Sequence, residues 1–237
     1  MSNKSSAPTS PTPSDILAAS LATLDFTHVF YDVEDPLSLG MAYLSLVPQG
    51  LTIGYATLML SRREMETFMM FAGQLANELI NGIIKDIIKQ ERPNETFGQG
   101  YGMPSAHSQF IFFYAAYLTT WMYTRAIRFS AFKRAYRTVG LFILAILVSS
   151  SRVYLSYHTT EQVCVGAGIG TLFGVFYALF IGLLRDTGVV DWVLSWPLAH
   201  LFYIKDTCLD HESTIEMEYK RWQHVRQKQK IISKKKD

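Results

Sequence analysis

Gln162–Leu184 reads QVCVGAGIGTLFGVFYALFIGLL, 23 consecutive residues without a charged side chain. A helix crossing the ~30 Å apolar core of a bilayer needs about 20 predominantly apolar residues. This run supplies them. One such run could be the central helix of a soluble protein, but here the pattern repeats. Ser38–Leu60 is another 23 residues without a charge, and Ala106–Thr124 another 19. Thr138–Ser151 adds 14 and continues apolar past Arg152 to Tyr157. Thr67–Ile84 holds one charge, Glu78. These are five expected spans. Thr187–Ile204 is a sixth candidate, weakened by Asp191 and Pro197. The expected fold is an all-α integral membrane protein, a helical bundle of five to six spans.

The average composition hides this segregation. The 237 residues carry 22 Lys/Arg and 20 Asp/Glu, 18% charged against the roughly 25% usual in globular chains. A hydrophobic fraction of 49% excludes a disordered protein, and a net charge of +2 argues against a nucleic-acid partner. Two cysteines, Cys164 and Cys208, are too few for a disulfide framework or a four-ligand metal site. Met1–Ser14 is rich in Ser, Pro and Thr, so residues 1–24 read as a disordered start. Residues 25–204 form the membrane body and 205–237 a charged tail.

Loop charge orients the spans. Arg125, Arg128, Lys133, Arg134 and Arg137 lie between spans 3 and 4, and Arg62 and Arg63 between spans 1 and 2. Both loops share one side, which the positive-inside rule makes cytosolic. The opposite side receives the 85–104 and 152–161 loops and an acidic N-terminal segment with Asp25, Asp32, Glu34 and Asp35. The tail holds nine Lys/Arg, with Lys234 and Lys235 at the fourth and third positions from the end. That placement resembles a dilysine retrieval signal of the endoplasmic reticulum, which must face the cytosol; a plain basic tail at a membrane surface is the alternative. Five spans leave the tail cytosolic, whereas six move it across.

Candidate chemistry collects on the non-cytosolic side. In span 2, Gln74, Asn77, Glu78, Asn81 and Lys85 recur at helical spacing, a polar stripe expected to face the bundle interior. Interhelical hydrogen bonding explains Gln74 and Asn77. Lys85 and Arg92, two helical turns apart, suit a phosphate, lysine as a point charge and arginine as a planar fork, and taken alone they fit snorkelling to the interface better. The glycine-bearing loop Phe97–Pro104 runs into Ser105-Ala106-His107 at the start of span 3. A helix N-terminus offers free N–H groups to an anion. Ser105 can cap or donate, and His107 can give a proton. Ser151-Arg152 precedes His158 by a short interval, and Gln162 follows His158 by four residues on one helical face. A neutral imidazole can attack phosphorus, and an acceptor on its other nitrogen fixes the tautomer. Gln162 can supply that acceptor, with Glu161 as the neighbouring candidate. The topology forces the ends of these spans to one face.

Lys85-x6-Arg92-Pro93, Pro104-Ser105-Ala106-His107 and Ser151-Arg152-x5-His158 together resemble the three-part signature of the type 2 phosphatidate phosphatase superfamily. The longer stretches QLANELINGIIKDIIKQERP, YGMPSAHSQF and SRVYLSYHTTEQV are similar to its dolichyl-diphosphatase branch. The likeness runs over most of residues 25–225. It implies a haloperoxidase-like helical fold that hydrolyses dolichyl diphosphate at the lumenal face of the endoplasmic reticulum, recycling the lipid carrier of protein N-glycosylation. It implies that Lys85, Arg92 and Arg152 bind the terminal phosphate with Ser105 and the Ala106 and His107 N–H groups. His158 would be the nucleophile, passing through a phosphohistidine. His107 would protonate the leaving group and then activate water, with no metal or other cofactor. Alanine at 106 and glutamine at 162 depart from the superfamily's usual glycine and aspartate; glutamine is usual in this branch. A broad lipid-phosphate phosphatase, or a non-catalytic protein that binds or transports phospholipids by the head group, are the alternatives. Gly166, Gly170 and Gly174 point to close helix packing, with dimerisation the alternative. Asn94-Glu95-Thr96 is a glycosylation sequon. Lys89, Glu91 and Tyr101 read as solvated loop residues, with substrate contact the alternative, and His28, His200, His211 and His224 have no constellation around them.

Overall fold

The computed structural model describes residues 21–24, 29–93, 100–125, 129–208 and 215–234. The Ser/Pro/Thr-rich start, the Asn94 sequon, Arg128, and the terminal Lys235 and Lys236 lie outside them. The chain opens with β1 (Leu21–Leu24) paired antiparallel to β2 (Val29–Asp32). Strand β1 lies at the C-terminal edge of the 1–24 segment. Helices follow: α1 (Pro36–Ser45), α2 (Val47–Ser61), α3 (Met65–Ile88), α4 (Ala106–Thr124), α5 (Ala131–Tyr154) and α6 (Thr160–Asp186). Short α7 (Val189–Leu194) and α8 (Pro197–Leu201) precede α9 (Ile215–Lys234).

The charge-free run Ser38–Leu60 is not one helix. It breaks at Leu46, whose N–H turns back to Tyr43 O, and α2 restarts with Pro48 in its first turn. Proline has no N–H to donate and its ring clashes with the preceding turn, so a helix cannot run through it unbroken. The α2 segment spans about 22 Å at 1.5 Å per residue. Among the described residues one helix, Thr160–Asp186, is long and apolar enough by itself to cross a membrane. The outer faces of its neighbours are nonetheless apolar and exposed. Leu75, Leu79, Ile83 and Ile87 line one side of α3, Val139, Ile143 and Ile146 one side of α5, and Leu172, Phe176 and Leu183 one side of α6. Such broad exposed apolar faces mark a surface that water does not solvate.

Helix α4 is the centre, with α6 against one side and α5 against the other. Its contact with α6 is close because glycines line it. A Cβ at Gly166 would stand 2.6 Å from Ser105 O, one at Gly174 2.8 Å from Phe113 O, and one at Gly170 would overlap Gln109 O. The four-residue glycine repeat therefore serves packing within the chain. Facing α3, Gln109 donates through Nε2 to Asn77 O at 2.8 Å and Asn77 Oδ1 at 2.9 Å, and its Oε1 accepts from Asn81 Nδ2 at 2.8 Å. The span 2 stripe thus faces inward at Gln74, Asn77 and Asn81, while Glu78 is exposed, contrary to expectation. Tyr55, Met70, Phe113, Tyr117 and Ala178 form an aromatic-rich core cluster nearer the other end.

That other end is tied by ions. Arg185, at the end of α6, meets Glu66 at 2.6 Å and Asp206 at 2.7 Å, and Tyr117 donates to Glu66 at 2.6 Å. Lys205 pairs with the 63–65 corner through Met65 N→Lys205 O at 2.8 Å and Lys205 N→Arg63 O at 3.0 Å. Segment 187–204 therefore leaves and returns to the same end of the bundle. Neither α7 nor α8, at six and five residues, reaches across a ~30 Å core.

Candidate active site

The opposite end of the bundle gathers the motif residues. Helix α3 stops at Lys89, whose left-handed φ of 53° turns the chain away. Lys85, in the last turn, is half-buried. The segment beyond is stitched to the glycine loop: Gly102 N donates to Gln90 O at 2.7 Å, and Arg92 Nε to Gly100 O at 3.3 Å. Ser105 is the N-cap of α4 and is fully buried, with its N–H on Gln162 O at 3.0 Å. Its hydroxyl makes no capping bond. Ala106 and His107 follow as the first helical residues, so their N–H groups have no intrahelical acceptor.

Arg152 closes α5 with 4% of its surface exposed. Its guanidinium lies 3.9 Å from the centroid of the Tyr157 ring. The Arg152 carbonyl accepts from both Tyr157 N at 3.0 Å and His158 N at 3.2 Å, which fixes His158 beside the cation. Tyr157 OH in turn accepts from Phe30 N of β2 at 2.8 Å, so the N-terminal hairpin lies at this end too. Among the described residues, Ser105 Oγ and Arg152 Nε are buried without a hydrogen-bond partner. Buried polar atoms are nearly always paired, so two orphan donors at one place fit a ligand that accepts.

His158 is buried, and its Nδ1 lies 3.0 Å from Gln162 Oε1. Gln162 is fully buried and uses its whole amide. Oε1 also accepts from Thr159 N at 3.3 Å, while Nε2 donates to Glu91 O at 2.9 Å. Thr159 Oγ1 accepts from Gln162 N at 3.3 Å, which completes a capping box at the start of α6. One side chain therefore caps a helix, orients a histidine and anchors the loop that carries Arg92. Gly102 packs directly on it: a Cβ there would stand 2.6 Å from Gln162 Nε2. Glu161 is exposed and takes no part. Burial, above all, holds the His158 imidazole down at about 4; the Gln162 bond opposes this, and Arg152, Arg92 and Lys85 reinforce it. Near neutrality the ring is uncharged, with Nε2 free to act as a lone-pair donor among three cations. His107 is half-buried, with Nε2 3.4 Å from the Gln49 amide.

The structure thus brings Lys85, Arg92, Ser105, Ala106, His107, Arg152, His158 and Gln162 to one end of the bundle. Sequence reading missed Gln49, Gly102 and the Thr159-x-x-Gln162 capping box. The box was legible as T-x-x-Q before an apolar run. Among the described residues no three His, Cys, Asp or Glu side chains are grouped to hold a metal. A cavity of about 600 Å³ lies at the far end, lined by Met59, Leu60, Phe68, Leu201 and Phe202 with Arg63 and Tyr203; it is apart from this chemistry.

The profile of the PAP2 superfamily matches residues 66–185, from the Arg185-paired Glu66 through every motif residue named above except Gln49. The chain belongs to the PAP2 superfamily. Among relatives, it is 35% identical over 235 residues to the dolichyldiphosphatase of Saccharomyces cerevisiae, covering 95% of this chain and 96% of that one. It is 36% identical over 203 residues to dolichyldiphosphatase 1 of Homo sapiens, covering 81% and 85%. A palmitoyl-protein thioesterase–dolichyl pyrophosphate phosphatase fusion of Schizosaccharomyces pombe is 43% identical over 185 residues; the match spans 77% of this chain and 30% of that longer protein. The fold is similar to that of the crystallised PAP2-type phosphatidylglycerolphosphate phosphatase of Bacillus subtilis, with a TM-score of 0.55 at 20% identity over 64% of this chain and 80% of that one.

Proposed function

We propose that the chain is a dolichyl-diphosphatase: it hydrolyses dolichyl diphosphate to dolichyl phosphate and inorganic phosphate. The full-length likeness to dolichyldiphosphatases supports the substrate, and the His158–Gln162 bond among three cations carries the chemistry. Lys85, Arg92 and Arg152 hold the terminal phosphate, with Ser105 Oγ and the Ala106 and His107 N–H groups on its oxygens. Fixed donors of this kind stabilise charge that grows in the transition state. His158 Nε2 attacks the terminal phosphorus. The bond to the bridging oxygen breaks, and His107 gives that oxygen a proton, releasing dolichyl phosphate. Water, deprotonated by His107, then attacks the phosphohistidine, and inorganic phosphate leaves with the His158 ring restored.

The reading extends to placement. Residues 25–204 act as the membrane phosphatase domain with five crossings, and 205–237 as a cytosolic tail. The site faces the lumen of the endoplasmic reticulum. The purified protein is tested on dolichyl diphosphate and on phosphatidate. The expected result is phosphate release from dolichyl diphosphate at least tenfold faster, and none from the His158→Ala variant. Full activity in His158→Ala sinks the mechanism, and preference for phosphatidate sinks the substrate.

A further inference from the structure

We infer that Gln49 is the positioning partner of His107, as Gln162 is of His158. The role rests on the dolichyl-diphosphatase reading above, because it concerns the proton that His107 delivers there. Gln49 lies in the first turn of α2, immediately after the Leu46 break. Without that break, the residue would sit elsewhere on the helix face. One orientation of its amide satisfies both ends: Nε2 donates to Ser45 O at 3.1 Å and Leu46 O at 3.2 Å. Two carbonyls can only accept, so the NH2 group belongs on them. The oxygen then is the end that lies 3.4 Å from His107 Nε2. An amide oxygen can only accept, so His107 carries its hydrogen on Nε2. The bond is long, as such contacts often are before substrate draws the site together.

The two histidines are therefore held alike from opposite nitrogens. Gln162 Oε1 takes His158 Nδ1 and leaves Nε2 free. Gln49 Oε1 takes His107 Nε2 and leaves Nδ1 free. An acceptor on one ring nitrogen fixes which nitrogen faces the reaction and supports the ring when it becomes an imidazolium. Nδ1 takes a proton from solvent as the diphosphate binds, which makes the ring an imidazolium; it passes that proton to the bridging oxygen and later takes one from the attacking water. Nothing in the motif spacing carries this residue, which stands in an otherwise apolar run.

Gln49→Met keeps the side chain's length and removes both ends of the amide. The full-length protein is labelled with 15N-histidine in lipid nanodiscs, and His107 is identified by its loss from the His107→Gln spectrum. Wild type should show His107 hydrogenated on Nε2; Gln49→Met should show a mixture of tautomers. On dolichyl diphosphate, kcat should fall about five- to tenfold, the worth of one net hydrogen bond, with KM little changed. A wild-type His107 hydrogenated on Nδ1 overturns the assignment, as does an unchanged spectrum or an unchanged kcat in the variant. A wild type inert on dolichyl diphosphate overturns the substrate reading instead, and leaves the spectrum to judge Gln49.

Discussion

At the scale of single residues, the neutral amide at 162 sets how His158 responds to pH. Burial among Arg152, Arg92 and Lys85 keeps the imidazole uncharged down to about 4. Protonation below that value removes the lone pair, so activity is lost as pH falls through it. The acid limb of kcat/KM reports the free enzyme and should therefore have its midpoint near 4. Gln162→Glu puts a negative charge where the amide oxygen sits 3.0 Å from Nδ1. That charge favours the imidazolium, raises its pKa and moves the acid limb to higher pH. It also sets a carboxylate oxygen against the Glu91 carbonyl, so kcat should fall even on the plateau. A pH–rate profile of both proteins checks this; an unmoved limb overturns it. The His158–Gln162 pair was legible because four residues make one helical turn. Gln49 was not, because its partner is 58 residues away and the break that aims it is a tertiary detail.

At the scale of elements, spacing read better than continuity. Gly166, Gly170 and Gly174 mark one helix face, and that face is where α6 meets α4. The charge-free run 38–60 says nothing of whether one helix runs through it, and the chain breaks at Leu46, just before Pro48. Glu78 shares its angular position with the inward stripe yet is exposed, since the face is set by where α4 lies rather than by period alone. The glycine reading separates two neighbouring positions. Gly170→Ala drives a Cβ onto Gln109 O, whereas Gly168→Ala meets nothing within 4 Å. Forcing a tight contact apart costs about 1–3 kcal/mol. In a protein of this size each kcal/mol lowers the midpoint of thermal unfolding by about 2–4 °C. Gly170→Ala should therefore melt several degrees lower in detergent. Gly168→Ala should melt no lower than wild type, because alanine is the better helix former by about 1 kcal/mol. Equal midpoints for the two variants would show that the α4–α6 seam is not what holds the glycines.

At the scale of the whole molecule, the two ends of the bundle have different tasks. One end carries the buried histidine and its cations. The other is closed by Arg185 with Glu66 and Asp206, and by Lys205 on the 63–65 corner. The tail begins at that closed end, and α9 beyond it is too polar to cross a membrane, with residues 219–229 exposed throughout. Loop charge alone left the side of the tail open, because a sixth crossing at 187–204 fitted the sequence. Pairing between residues more than a hundred apart returns 187–204 to the end it left, which supports the five-crossing proposal, and no local pattern reports such pairing. The proposal predicts opposite sides for the site end and the tail. After Cys164→Ala and Cys208→Ala, a single cysteine is introduced by Glu34→Cys near the site end, or by Gln229→Cys in α9. Sealed vesicles of one orientation are treated with a membrane-impermeant maleimide. Gln229→Cys should label from the face that bears Arg62 and Arg63, and Glu34→Cys only after the vesicles are opened. Labelling of both from one face contradicts the topology, because Glu34 sits with β2 beside Tyr157 while Lys205 sits at the far end of α3.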